Sequence, residues 1–373
     1  MSLVLNEEQV MLKDSARDFL QSRAPVSHLR ELRDSGSTEG FSRELWSEMA
    51  DMGWPAILVP EQHGGLGYGY TGMGIVLEES GRTLTPSPLL STALICTAAI
   101  VKAGSDDQCE AILPAVAAGE HLLALACDES SRHTPACTAA DAVSDGPVYR
   151  LNGRKTGAID GHFADTFIVS ARTDGAISLF LVPASAKGVQ VEAYPVLDTH
   201  FAANVQFDQV EVEEKDLLGP LNGGQSILDY ILDVGCVGVS AELLGLAQEA
   251  FERTIEYLKE RKQFGVPIGS FQALQHRAAH LFGEIEMCKS LVIKALSTLD
   301  ERTDSDAELV SLTKAKLAET AHLAAIEAIQ MHGGIGMTDE FDIGFFLKRC
   351  QILESLFGDN YFHLDRFARQ RGY

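Results

Sequence analysis

Apolar positions change their period twice along the chain, from helical to short strand-length runs and back to helical. From Gln9 to Leu20 the apolar residues (Val10, Leu12, Phe19, Leu20) recur at helical spacing, and Asn6-Glu7-Glu8 supplies a cap and an acidic first turn. Phe41 to Met52 reads as a second amphipathic helix. Pro60 to Gly74 is glycine-rich and reads as a loop leading into a helix that carries Ile75-Val76-Leu77, while Ala111 to Ala118 reads as a helix stopped by Gly119. The next hundred or so residues differ. Leu122–Ala126, Phe167–Ser170, Ile177–Val182 and Val205–Val210 are strand-length, and Asn152-Gly153 and Asp174-Gly175 have the chemistry of hairpin turns. Long helical patterns then return over Ser226–Arg261, Phe271–Leu299 and Ser305–His332, the last with small, alanine-rich faces suited to close packing. The expected division is a helical domain over 1–119, a β domain over 120–222 and a helical domain over 223–373.

Composition narrows the functional classes. With 373 residues and 46% hydrophobic content the chain can bury a large core. A net charge of −23 disfavours nucleic acid and anionic membrane surfaces, both of which select a cationic face. No run of about 18 apolar residues predicts a membrane span. The start, Met1-Ser2-Leu3-Val4-Leu5-Asn6, lacks the basic and apolar regions of a secretory signal. The 7 cysteines stand singly, so neither a disulfide framework nor a metal site is expected, and a reduced cytoplasmic setting fits.

Two segments carry candidate chemistry. Arg261-Lys262-Gln263-Phe264-Gly265, with Gln272 shortly after, offers a guanidinium fork suited to a pyrophosphate. Gln330-Met331-His332-Gly333-Gly334-Ile335-Gly336 offers paired glycines whose backbone N–H groups can approach an anion closely. Taken singly, Arg261 also reads as a helix C-terminal cation, and Gly333-Gly334 as a helix stop.

With these segments, and with Glu61-x-x-Gly64-Gly65-x-Gly67, Leu151-Asn152-Gly153-x-Lys155 and Gly245-Leu246-Ala247-Gln248, the chain resembles the acyl-CoA dehydrogenase family of flavoproteins over essentially its whole length. The resemblance implies an α+β multidomain fold: an all-α N-terminal domain, a middle β-barrel or sandwich domain and a C-terminal four-helix bundle that forms the core of a tetramer. It implies FAD as cofactor, an acyl-CoA as substrate and an electron-transferring flavoprotein as acceptor. It also implies that Arg261, Gln263, Phe264, Gln272, Gln330, Gly333 and Gly334 reach an FAD held mainly by a neighbouring subunit. His332 reads as structural, and Lys155, after Asn152-Gly153, as a solvated surface lysine.

The departures concern the chemistry. The family reaction takes an α-proton with a carboxylate, commonly a Glu near the C-terminus, and that position here is Gly358 in Phe357-Gly358-Asp359-Asn360. Asp359, one residue on, is the candidate base, and also a candidate helix N-cap. The alternative base position of the family falls near Gly235 and Cys236, and Glu242 reads as a local partner in its helix. The flavin-covering loop is replaced by Cys127-Asp128-Glu129-Ser130-Ser131-Arg132-His133, and an aromatic that packs by the flavin by Gly157. Three readings follow: a dehydrogenase using Asp359; a catalytically incomplete chain that completes the FAD site of a related partner, as in unequal two-chain enzymes of steroid side-chain and dicarboxylate breakdown; or a nitroalkane oxidase-like or hydroxylase-like flavin chemistry on the same fold. The resemblance implies either a homotetramer or a heterotetramer with a related chain.

Overall fold

A computed structural model describes residues 4–146, 148–301 and 304–373. In chain order its helices and strands are α1 (Glu7–Arg23), α2 (Val26–Ser35), α3 (Arg43–Asp51), α4 (Tyr70–Thr83), α5 (Thr97–Ala103), α6 (Asp106–Ala117), β1 (Leu123–Ala126), β2 (Asp141–Asp145), β3 (Val148–Ile159), β4 (Thr166–Thr173), β5 (Ala176–Pro183), β6 (Val189–Pro195), β7 (Phe201–Glu213), α7 (Gly224–Glu260), β8 (Lys262–Gln263), β9 (Val266–Pro267), α8 (Gln272–Glu301), α9 (Ala307–His332), α10 (Ile343–Ser355) and α11 (Asn360–Gln370). A π-helical segment, Leu89–Cys96, leads into α5. The architecture is α+β, with helices at both ends of the chain and a sheet between them.

Local chemistry explains several boundaries. Asn6 and Gln9 exchange side-chain-to-backbone hydrogen bonds in a capping box that starts α1, and Ser105 and Gln108 do the same for α6. The glycine-rich loop is shorter than the sequence suggests, because α4 already begins at Tyr70. The reason is a distant cap: the Asp300 carboxylate accepts the N–H groups of Tyr70 (2.5 Å) and Thr71 (3.0 Å).

Two compact units partition the chain, and neither is contiguous in sequence. One comprises the N-terminal segment through Asp34, Tyr70–Thr85 and Cys236–Tyr373. Within it, α1 is tied to α4 by Lys13–Glu78 (2.7 Å) and by the Arg17 fork on Glu79 (3.0 and 3.1 Å), and α4 to α7 by Arg82–Glu249 (2.9 Å). The helices α4 and α7 cross at backbone contact. A Cβ on Gly245 would lie 1.7 Å from the Glu78 carbonyl oxygen, and one on Gly81 2.1 Å from that of Glu242, so only glycine permits this approach. Among the described residues Glu242 makes no pair within its own helix. Its carboxylate takes the Arg349 guanidinium of α10 (Nε–Oε1 2.7 Å), both side chains buried. The small face of α9 (Ala318, Ala321, Ala324, Ala325, Ala328) is buried, as its composition predicts.

The other unit, Ser35–Gly69 with Pro86–Gly235, holds the sheet. Its strand order is β1-β4-β2-β3-β7-β6, with β5 also on β4. Phe167, Val169, Phe180, Val182, Val205 and Phe207 fill its core. Asp174-Gly175 does turn the β4–β5 hairpin, both residues at positive φ (52° and 91°). Asn152-Gly153 does not turn the chain. It lies inside the 12-residue β3, at a register shift against β7, where Asn152 Oδ1 accepts the Gln209 N–H (2.9 Å) and holds a bulge. A second difference concerns α7, which is long and apolar enough to cross a membrane. Its apolar window is wholly buried inside the protein, as a core helix requires.

Candidate functional site

The two phosphate-type segments meet in the first unit. Past Glu260, Ile268 N–H donates to the Arg261 carbonyl (2.8 Å), and β8 and β9 form a short hairpin whose tip residues, Phe264 and Gly265, both have positive φ (54° and 82°). Phe264 is 92% exposed, an unusual position for an aromatic ring that has also taken up left-handed backbone. Arg261, Gln263, Gln272 and Gln330 are all exposed. Among the described residues nothing pairs with the side chains of Arg261, Gln272 or Gln330, while Gln263 Nε2 donates only to the adjacent Lys262 carbonyl (2.8 Å). Gly333 ends α9 at φ 64°, ψ −139°, a conformation that favours glycine, and open space surrounds the Cβ positions of both Gly333 and Gly334.

Tyr257 joins the two segments. Its ring lies on the His332 imidazole, centroids 4.3 Å apart, and its hydroxyl donates to the His332 carbonyl (3.3 Å). His332 is buried, packs on Phe341 from a second side (4.9 Å), and its Nδ1 bonds to the Ala328 carbonyl (2.7 Å). Burial pulls its basicity below the ordinary histidine value, so the ring is a neutral donor to Ala328 rather than an acid. The structural reading of His332 therefore holds, and the sequence gives no sign of its partner Tyr257.

At the Phe357-Gly358-Asp359 segment, where the resemblance expects the base, side-chain chemistry is turned inward. Phe357 (φ 56°) and Gly358 (φ 105°) form a tight turn between α10 and α11. Lys314, wholly buried, donates to the carbonyls of Glu354 (2.9 Å) and Gly358 (3.1 Å). His363 Nε2 lies 3.1 Å from the Phe357 carbonyl and 3.7 Å from the Cys236 thiol, which itself approaches the same carbonyl. A Cβ on Gly358 would lie 2.3 Å from the Phe362 ring. Asp359 is exposed, and its Oδ1 accepts the Phe362 N–H (2.8 Å) as the N-cap of α11. Cys236, the other candidate base position, is buried beneath the turn.

In the sheet unit Lys155 is not a surface lysine. It is 0% exposed, and its ammonium donates to Glu129 (2.7 Å), Ser170 Oγ (3.1 Å) and the Cys127 carbonyl (3.2 Å). Glu129 also accepts the N–H groups of Ala139 (2.7 Å) and Ala140 (2.9 Å), and Asp128 pairs with His133 (3.0 Å). The segment from Cys127 to Ala140 is thus closed on itself by its own side chains. Burial alone would raise the Glu129 carboxyl, but the bonds from Lys155, Ala140 and Ala139 outweigh it and hold the group below the usual carboxylate range. Gly157 leaves its side-chain position empty, and the nearest atom to it is the Tyr194 hydroxyl, 3.9 Å from a built Cβ.

An exposed guanidinium without a partner among the described residues, two exposed amides and a pair of glycines with open Cβ positions, linked through the Tyr257–His332 contact, make a surface on this helical unit that is chemically suited to an anion. The chain belongs to the acyl-CoA dehydrogenase family: residues 6–120, 128–210 and 222–371 match its N-terminal, middle and C-terminal domains in turn. It is 30% identical to subunit CarC of the caffeyl-CoA reductase-Etf complex of Acetobacterium woodii, with 94% of each chain covered. The solved Tcur3481-Tcur3483 steroid ACAD is 30% identical, with 98% of each chain covered and a TM-score of 0.89. The ChsE4-ChsE5 complex from Mycobacterium tuberculosis is 25% identical, with 100% of this chain and 99% of that one covered and a TM-score of 0.92. Members of the family are oxidoreductases acting on CH–CH bonds, and their cofactor is FAD. The surface at Arg261, Gln272, Gln330 and Gly333-Gly334 fits that group, because its donors are directed outward and its glycines leave room for phosphate oxygens.

Proposed function

We propose that this chain works as the catalytically incomplete subunit of a heteromeric acyl-CoA dehydrogenase, paired with a related chain that supplies the carboxylate base. One observation carries the reading: where the resemblance expects the base there is a glycine, Gly358, at a φ of 105° with a Cβ position 2.3 Å from the Phe362 ring, and the neighbouring Asp359 caps a helix in solvent. In α,β-dehydrogenation a carboxylate removes the α-proton of the acyl thioester, and FAD supplies the hydride-accepting chemistry. On this reading the chain's own part is to bind and orient. Arg261 offers its fork to the pyrophosphate, Gly333 and Gly334 present backbone N–H groups, and Gln263, Gln272, Gln330 and Phe264 line the same ligand. The assembly is a heterotetramer, and its electron acceptor is of the electron-transferring flavoprotein class. The names of the steroid ACAD, the ChsE4-ChsE5 complex and the Etf-linked CarC subunit support an unequal assembly and that acceptor.

The test is expression of the chain alone and together with a related chain that carries the glutamate. Joint purification with FAD, and flavin that bleaches anaerobically with an acyl-CoA only in the joint preparation, is the expected result. A chain that alone holds about one FAD per protomer and bleaches with substrate defeats the proposal.

A further inference from the structure

We infer that His322, Cys350 and Glu354 form a binding site for a soft divalent cation of the zinc class, on the face where α9 meets α10. Cys350 and Glu354 are separated by one helical turn on α10, which places both side chains on the same face. His322 projects from α9 towards them, and its Nδ1 lies 3.1 Å from Glu354 Oε2. One ligand atom from each residue lies within 4.8 Å of the other two. A tetrahedral zinc ion bonds to sulfur at about 2.3 Å and to nitrogen and oxygen at about 2.0–2.2 Å, so its ligand atoms stand roughly 3.3–3.8 Å apart. The three residues reach that geometry by closing about 1 Å, within the range of side-chain rotation.

The donor set selects the ion. A thiol and an imidazole beside one carboxylate favour zinc-like cations over magnesium or calcium, which take oxygen ligands. The Cys350 thiol is a second pointer to a ligand: it is free and 0% exposed, and among the described residues it has no hydrogen-bond partner. Charge balance also fits. A dication with one thiolate and one carboxylate is neutral, so the buried Lys314 ammonium, bonded to the Glu354 carbonyl at 2.9 Å, does not oppose it. His322 and Glu354 are partly exposed, their side chains at 38% and 29%, which leaves the fourth coordination position to water. The absence of any paired-cysteine motif hides such a site from the sequence, because its ligands come from two helices.

The experiment uses the purified protein, stripped with a chelator and titrated with Co²⁺ as a visible probe, then with Zn²⁺ in competition. The expected result is one equivalent of Co²⁺ with tetrahedral d–d bands and a sulfur-to-cobalt charge-transfer band, displaced by Zn²⁺. Cys350→Ala removes the charge-transfer band, and His322→Gln, at a half-exposed position that tolerates change, weakens Co²⁺ binding at least about tenfold. Circular dichroism of the metal-free variants checks that each is folded. The proposal is overturned if the wild-type protein shows no charge-transfer band, or if one-equivalent binding survives His322→Gln unchanged. In both cases the His322–Glu354 contact is a hydrogen bond between neighbouring helices and not part of a metal site.

Discussion

The Tyr257 ring rests on the His332 imidazole at a centroid distance of 4.3 Å, and with the Tyr257 hydroxyl bond to the His332 carbonyl it links the helix end before Arg261 to the residue before the Gly333-Gly334 turn. Tyr257 stands one turn before Arg261, whose N–H donates to its carbonyl (2.9 Å), and His332 immediately precedes Gly333. On the proposed reading, the residues facing FAD therefore depend on an aromatic pair behind them. Tyr257→Phe removes only the hydroxyl bond to His332 and is expected to cost about 1 kcal/mol of stability. Tyr257→Ala also removes the stacking and is expected to cost about 3 kcal/mol and to weaken FAD binding in the assembled enzyme. Urea denaturation and flavin release measure the two effects. Unchanged FAD affinity in Tyr257→Ala would show that the segments are positioned independently.

Lys314 gives a pH signature. Burial lowers its ammonium from 10.5 to about 8, against the opposing charges of Cys236, Glu354, Cys350 and Asp359. Between those values the unfolded chain binds a proton that the folded one does not, so the contribution of Lys314 to stability rises with pH from about 8 to about 10.5. The full change is on the order of 3 kcal/mol. Lys314→Met leaves the Glu354 and Gly358 carbonyls without this donor and lacks the titration. The stability difference between the wild-type protein and Lys314→Met, from denaturant melts across pH 7.5–10.5, should therefore widen in favour of the wild type as pH rises. Parallel pH profiles would mean that Lys314 keeps an ordinary proton affinity.

The period of apolar residues identified the longer helices and strands β1, β4, β5 and β7, because a buried stripe or run is a local property of the sequence, but it missed the short helices α2, α5, α10 and α11 and the more exposed strands β2 and β6. What it could not show were partners supplied from a distance. Lys155 follows an Asn-Gly pair that ordinarily turns a hairpin, yet β3 runs straight through, and the strand carries the lysine into the core beside Glu129. The early start of α4 depends on Asp300, more than two hundred residues away. Glu242, which reads as a local partner within its helix, is half of a buried pair with Arg349 of α10. Arg261 and Gly333-Gly334 stood out as candidates in the sequence because arginine and paired glycines each carry a local mechanism. The contact that links them did not, since neither Tyr257 nor His332 signals the other.

The Lys155–Glu129 pair should behave as a buried ion pair that closes the segment from Cys127 to Ala140. Removing one partner leaves the other charged and desolvated, so Lys155→Met is expected to cost roughly 3–5 kcal/mol. Glu129 has a folded-state pKa held below its unfolded value, so its contribution is complete above the usual carboxylate range and is lost as pH falls through the depressed one. Acid unfolding of Glu129→Gln should therefore be shallower than that of the wild type. Amide exchange at Ala139 and Ala140 gives a local readout, and protection there that survives either substitution would detach the segment from the pair.

Gly358 decides whether the missing base can be restored by one substitution. In Gly358→Glu the new Cβ would meet the Phe362 ring at 2.3 Å, on a backbone with φ of 105° that side chains rarely adopt. Overpacking and backbone strain together predict a loss of about 2–4 kcal/mol and no dehydrogenation by the chain alone. Gly358→Glu with Phe362→Ala relieves the contact but not the strain, and should recover part of the stability. Asp359 is separable from this: Asp359→Asn keeps an N-cap and should be neutral, while Asp359→Ala should cost about 1 kcal/mol. Flavin bleaching by an acyl-CoA in the joint assembly discriminates the roles. If Asp359→Asn leaves stability and FAD content intact but abolishes bleaching, Asp359 is the base after all, and the partner chain is not needed to supply one.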